Sequence, residues 1–158
     1  MDVAAGDYTL GDPYTLLPFG NTIVELSMTG QEIKNVLEAA LDYALSPDGS
    51  TGAYPYAAGP RWDVDSSQSK GDRISNLEFK GRSDSSWSAL KMSQMYTVAT
   101  NNYIAGGKDG YLTFGDISKE GRVVDTYLGY AQSFVDYVKK VGTINKLPLS
   151  EYSTQSFK

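Results

Sequence analysis

"TIVELSMTGQEIKNVLEAALDYALSP", residues 22–47, carries a change of period in its middle, and that change decides the fold. Over "TIVELSM" (22–28) apolar and polar residues alternate, the pattern of a strand with one buried face. At Thr29 the pattern switches. "TGQE" has the form of a capping box, in which Thr29 bonds the amide of Glu32 and Glu32 reaches back to the amide of Thr29. Apolar residues then recur at Ile33, Val36, Leu37, Ala40, Leu41, Ala44 and Leu45, which predicts a helix with one buried face that ends before Pro47.

The same two periods organise the rest of the chain. "RWDVD" (61–65), "RISNLEF" (73–79) and "MYTVATN" (95–101) read as strands, with "SQSKGD" and "GRSDSSW" as loops. A second main helix is predicted from about Thr126 to Val141, capped by Asp125, with Leu128, Ala131, Val135 and Val138 on one stripe. Lys139, Lys140 and Gly142 mark its exit. Tyr127, Tyr130, Phe134 and Tyr137 form a neighbouring aromatic stripe, whose spacing is that of a core or domain contact. Upstream, Asp12 before Pro13 predicts a capped helical turn up to Pro18, so that Phe19, Gly20 and Asn21 fall on the link into the first strand. The expected fold is α+β: a single domain with a mixed β-sheet and two main helices.

Composition narrows the chemistry. A chain of 158 residues with 41% hydrophobic content holds one core. Its net charge is −5 and its 14 basic residues are scattered, which argues against nucleic acid as a partner. No apolar run is long enough to span a membrane, and no amphipathic segment is rich in Lys or Arg. Cysteine and histidine are both absent. That removes the commonest general base and the commonest transition-metal ligands, so no catalytic residue and no metal site are assigned to this chain. Met1 opens directly onto "DVAAGDYTLGD", which reads as element and turn and not as a flexible leader, so the natural protein is expected to be longer.

"TNNYIAGGKDGY" (100–111) is the most unusual loop. As a phosphate cradle it fails, because Lys108 is followed by Asp109 and "GYLTFG" reads as non-helical, whereas a P-loop opens into a helix after G-K-[ST]. As a calcium loop it lacks alternating acids, since only Asp109 qualifies before Asp116. Two readings remain. In one, the segment is a glycine-rich turn with Tyr103 tucked on the core. In the other, a pliable backbone, an aromatic face and a carboxylate meet the needs of a nucleoside or sugar, and Phe19 of "LPFGN" completes a clamp if the fold brings the loops together.

"GDYTLGDPYTLLPFGNTIVELSMTGQEIKNVLE" followed at long range by "TNNYIAGGKDGY" resembles the C-terminal, substrate-binding domain of the 5'-nucleotidase family, which includes UDP-sugar hydrolases, ecto-5'-nucleotidases and NAD nucleotidases. The resemblance runs from about Gly6 to Lys140, and "GAYPYAAGPRWDV" looks like the family's middle strand region. "YIAGGKDGY" and "KLPLSEYSTQSF" resemble bacterial NAD nucleotidases in particular.

The resemblance implies that Phe19 and Tyr103 sandwich a base and that Asp109 holds the ribose hydroxyls. Asn21 and Asn102 are implied as weaker polar contacts, and Gly107 and Gly110 as positions that permit close approach. It also implies an N-terminal metallophosphatase domain, absent from these residues, whose two divalent metal ions perform the hydrolysis. This domain alone is then inactive, and the parent protein periplasmic, secreted or at the cell surface. The implied ligand is an AMP-like nucleotide; NAD or a UDP-sugar is the alternative within the family, and a carbohydrate-binding or adhesion module the alternative outside it. Two departures stand out. Family members often carry Phe in place of Tyr103, and many carry Gly in place of Lys108, a cation that either meets an anionic group or points to water.

Overall fold

The structure, a computed structural model, describes residues 5–158; the beginning of "DVAAGDYTLGD" therefore lies outside the described residues. In chain order the elements are α1 (Asp12–Leu16), β1 (Thr22–Thr29), α2 (Gly30–Ala44), β2 (Pro60–Val64), β3 (Ile74–Phe79), β4 (Ser88–Ala89), β5 (Met95–Asn101), α3 (Asn102–Ala105), α4 (Leu112–Lys119), β6 (Val123–Gly129), α5 (Tyr130–Val141) and β7 (Thr154–Phe157). The α+β class stands as expected. Its strands divide into two sheets, one of three strands in the order β5-β1-β6 and one of four in the order β4-β3-β2-β7.

Helix α2 joins them. Thr29 and Glu32 form the capping box that the sequence predicts. Val36 packs with Val24, Leu26 and Met28 of β1 and with Phe114 and Ile117 of α4. Leu37 and Leu41, one helical step round, pack with Trp62, Val64, Ile74 and Leu77 of the second sheet. Glu38 on the same helix is buried, and its two oxygens accept the backbone N–H groups of Arg73 and Ile74 at 3.1 and 2.8 Å, stitching α2 to β3.

Five expectations are corrected. The second main helix begins at Tyr130 and not Thr126, because Thr126–Gly129 continues β6 alongside β1. Asp125 is no helix cap: its carboxylate accepts the Thr22 hydroxyl and the Tyr127 N–H, tying β6 to β1 and turning the chain at Tyr127, where φ is +58°. Tyr127 consequently points to solvent instead of joining an aromatic stripe. "GYLTFG" is also not a non-helical run, since Leu112–Lys119 is helix α4 with Phe114 and Ile117 buried beneath it. Finally, α1 starts at Asp12 itself, whose carboxylate accepts from Thr9, and stops at Leu16, short of Pro18. Strand β7 had no reading in the sequence; it pairs in parallel with β2.

Candidate functional site

Strand register gathers the two singled-out loops. In the antiparallel pairing of β1 with β5, Ile23 stands opposite Asn101, and in that of β1 with β6, Thr22 stands opposite Gly129. The loop before β1, the segment after β5 and the start of α5 after β6 therefore meet at one end of the first sheet. Phe19 lies on the first of these segments, Tyr103 and Asp109 on the second.

Hydrogen bonds fasten this meeting point. The Phe19 N–H donates to the Tyr130 hydroxyl at 3.1 Å, and the Tyr130 N–H donates to the carbonyl of Asn21 at 3.1 Å. The Thr22 N–H donates to the side-chain carbonyl of Asn102 at 3.3 Å. Asn21 and Asn102 thus join the two loops to the sheet. Tyr130, a member of the aromatic stripe in the sequence, proves to latch the Phe19 loop; with the helix read from Thr126, nothing in the sequence marked it.

The loop after β5 is shaped by its glycines. Gly107 has a φ of +83°, and a Cβ there would come within 3.2 Å of the Cα of Gly115 on α4. Gly110 has the same φ, and its Cβ would collide with the Cβ of Tyr43 on α2. Asp109 between them is also left-handed, at +52°. Such a backbone is strained for a residue with a side chain and needs support from its surroundings. Here α2 and α4 supply it.

Phe19 is 71% exposed and Tyr103 47% exposed, and neither belongs to a core. Tyr103 is therefore not tucked into the interior, as a plain turn would have it. Its hydroxyl donates to Oδ1 of Asp109 at 3.2 Å, and the carboxylate charge raises the phenol above its ordinary pKa. Tyr111, half-buried and donating to the carbonyl of Ala53, is pushed up to about 12, first by burial and then by Asp109. Lys108 is exposed.

Two hollows lie elsewhere. One, of about 670 Å³, runs beside β3 past Arg61, Asp63 and Asn76. The other, of about 570 Å³, opens between β5, α2 and residues 55–60, with Tyr56, Tyr96 and Phe114 among its walls. Neither includes Phe19, Tyr103 or Asp109. A stacking platform requires no hollow, only ring faces open to a ligand, and those the loop end provides. Among the described residues there is no group of three or more acidic side chains placed to hold a metal ion, and no helix is long and apolar enough to cross a membrane.

The comparisons agree with one another. The family model of the 5'-nucleotidase C-terminal domain matches residues 1–116. The chain is 43% identical over 142 residues to the NAD 5'-nucleotidase of Haemophilus influenzae, covering 88% of this chain and 23% of that protein. It is 40% identical over 139 residues to a probable 5'-nucleotidase of Treponema pallidum, covering 87% and 23%. The solved structure of Haemophilus influenzae NAD nucleotidase superposes with a TM-score of 0.86 at 38% identity, over 96% of this chain and 27% of that one. The chain thus spans less than a third of the length of each of these relatives. With the two-sheet fold and both loop motifs in their expected order, the match over most of its length makes this chain a member of the 5'-nucleotidase family, corresponding to its C-terminal domain.

Proposed function

We propose that this chain recognises the nucleoside part of a nucleotide, with Phe19 and Tyr103 stacking on the two faces of the base and Asp109 accepting hydrogen bonds from the ribose hydroxyls. The observation that supports this most is the convergence of the Phe19 loop and the Tyr103–Asp109 segment at one end of the first sheet, with Asn102 bonded across to Thr22. Two exposed rings and an exposed carboxylate on supported backbone form a recognition surface.

In the intact protein the domain presents the bound nucleotide's phosphate to a metallophosphatase domain outside these residues. On this reading the two divalent ions belong to that other domain, and this chain alone is expected to release no phosphate. Its part is positioning: binding energy at the remote base holds the reacting group in place, which is how such contacts become rate. The likeness to the Haemophilus NAD 5'-nucleotidase favours a pyrophosphate-linked dinucleotide as a second substrate reading. A periplasmic, secreted or surface location goes with the family reading.

The test is affinity for adenosine and uridine in the intact protein carrying Phe19→Ala, Tyr103→Ala or both, with melting temperature followed in parallel. Each ring is expected to contribute on the order of 1–3 kcal/mol, or roughly five- to hundredfold in binding. The two losses should be non-additive, because a base held on one face tilts away from the remaining ring. Unchanged affinity in both folded variants would end the clamp.

A further inference from the structure

We propose that Tyr103 is, besides a stacking face, the positioning residue for Asp109: its hydroxyl holds the carboxylate in the orientation that receives the ribose hydroxyls. This rests on the nucleoside reading above and adds to it a role for the one atom that separates Tyr from Phe at this position.

The loop backbone is fixed and the carboxylate is not. Gly107 is wedged against Gly115 and Gly110 against Tyr43, while Tyr111 and Leu112 donate back to the carbonyls of Lys108 and Gly110 at 3.0 and 2.9 Å. Asp109 is carried on this frame in a left-handed conformation that throws its side chain outward, where it is exposed. Among the described residues its hydrogen-bond partner is the Tyr103 hydroxyl, six residues upstream. Left to rotate freely, an exposed carboxylate would lose that freedom on binding, and the loss would subtract from affinity.

The bond does not block the site. An ionised carboxylate offers about four lone-pair positions on its two oxygens. Tyr103 occupies one of them on Oδ1, leaving Oδ2 and the second position on Oδ1 for a pair of neighbouring hydroxyls. A phenol is protonated at neutral pH, and the Asp109 charge only raises its pKa further, so it is a donor there. The same bond restrains the tyrosine ring, so base platform and sugar acceptor are set as one unit.

The experiment is calorimetric titration of the intact protein, as wild type, Tyr103→Phe, Asp109→Ala and the double variant, with adenosine, uridine and their 2',3'-dideoxy counterparts. Tyr103→Phe keeps the stacking face. It should lower ribonucleoside affinity roughly three- to tenfold, the scale of one hydrogen bond, and leave the dideoxy compounds unchanged. In the Asp109→Ala background it should have no further effect. Equal losses for both kinds of nucleoside, no loss for either, or a loss that survives without Asp109 would overturn the proposal. If Tyr103→Phe is silent while Phe19→Ala and Tyr103→Ala weaken binding, the clamp stands and this inference alone fails. If wild type binds no nucleoside, both fall.

Discussion

Glu32 serves two connections at once. Its carboxylate accepts the Thr29 N–H at 2.8 Å, closing the cap of α2, and receives Nη1 and Nη2 of Arg122 at 3.1 and 2.6 Å, fixing the start of β6. Arg122 is the main reason its pKa falls from 4.5 to about 2, with the Thr29 bonds adding to the effect and burial opposing it. A carboxylate whose pKa is depressed by folding stabilises the fold above its unfolded value and loses that contribution as pH drops through the folded one. The pair is a quarter exposed, so solvent screens much of the linkage and about 1 kcal/mol is expected to remain. Glu32→Gln, which can still form the cap, should therefore unfold at lower urea than wild type at pH 7, with the gap closing between pH 4.5 and 2. No gap at pH 7 would assign Glu32 to capping alone. At this scale the sequence revealed the cap, because Thr29 and Glu32 are three residues apart, but not Arg122, ninety residues away. Phe19, Tyr103 and Asp109 were readable as a group from residue types only as one of two alternatives, and family resemblance was what favoured it. The contact between Tyr103 and Asp109 depends on a left-handed Asp109, which no residue type announces.

Elements whose signals are local were legible, and those fixed by distant partners were not. β1, β2, β3 and β5 lie where period and turn residues put them, to within a residue or two at their ends. β6 was absorbed into the helix that follows because Leu128 continues the apolar stripe of Ala131 and Val135, and Gly129 supplies no side-chain cap to mark the boundary. Pairing with β1 overrides that local preference. α4 was missed because it carries Gly115 in its first turns, a poor helix former whose missing side chain is what allows Gly107 to pack on it. β7 is short and largely polar, and its place depends on β2, some ninety residues before it. The segment between α3 and α4 is where an element-level change should tell most. Gly110→Ala forces a side chain into a left-handed backbone and against Tyr43, and should cost about 1–3 kcal/mol while moving Asp109 off its frame. Urea denaturation and nucleoside titration of the same variant check both effects; wild-type stability would show that the loop is not clamped on α2.

Over the whole molecule, α2 is the common wall of two cores. Val36 faces the first sheet, and Leu37 and Leu41 face the second. The proposed nucleoside site occupies one end of the first sheet, where the loop before β1 meets the ends of β5 and β6, while the larger hollow is lined by the second sheet. Recognition surface and scaffold are in this way divided between strand ends and sheet faces, so the loops can be shaped for a ligand without disturbing either core. The most direct measurement is a crystal structure of the intact protein with adenosine bound. The account predicts the base between the rings of Phe19 and Tyr103, with the ribose hydroxyls within hydrogen-bonding distance of Asp109 and the Tyr103 hydroxyl still on Oδ1. Adenosine bound instead in the cleft lined by Tyr56, Tyr96 and Phe114, with Phe19 and Tyr103 left bare, would contradict it.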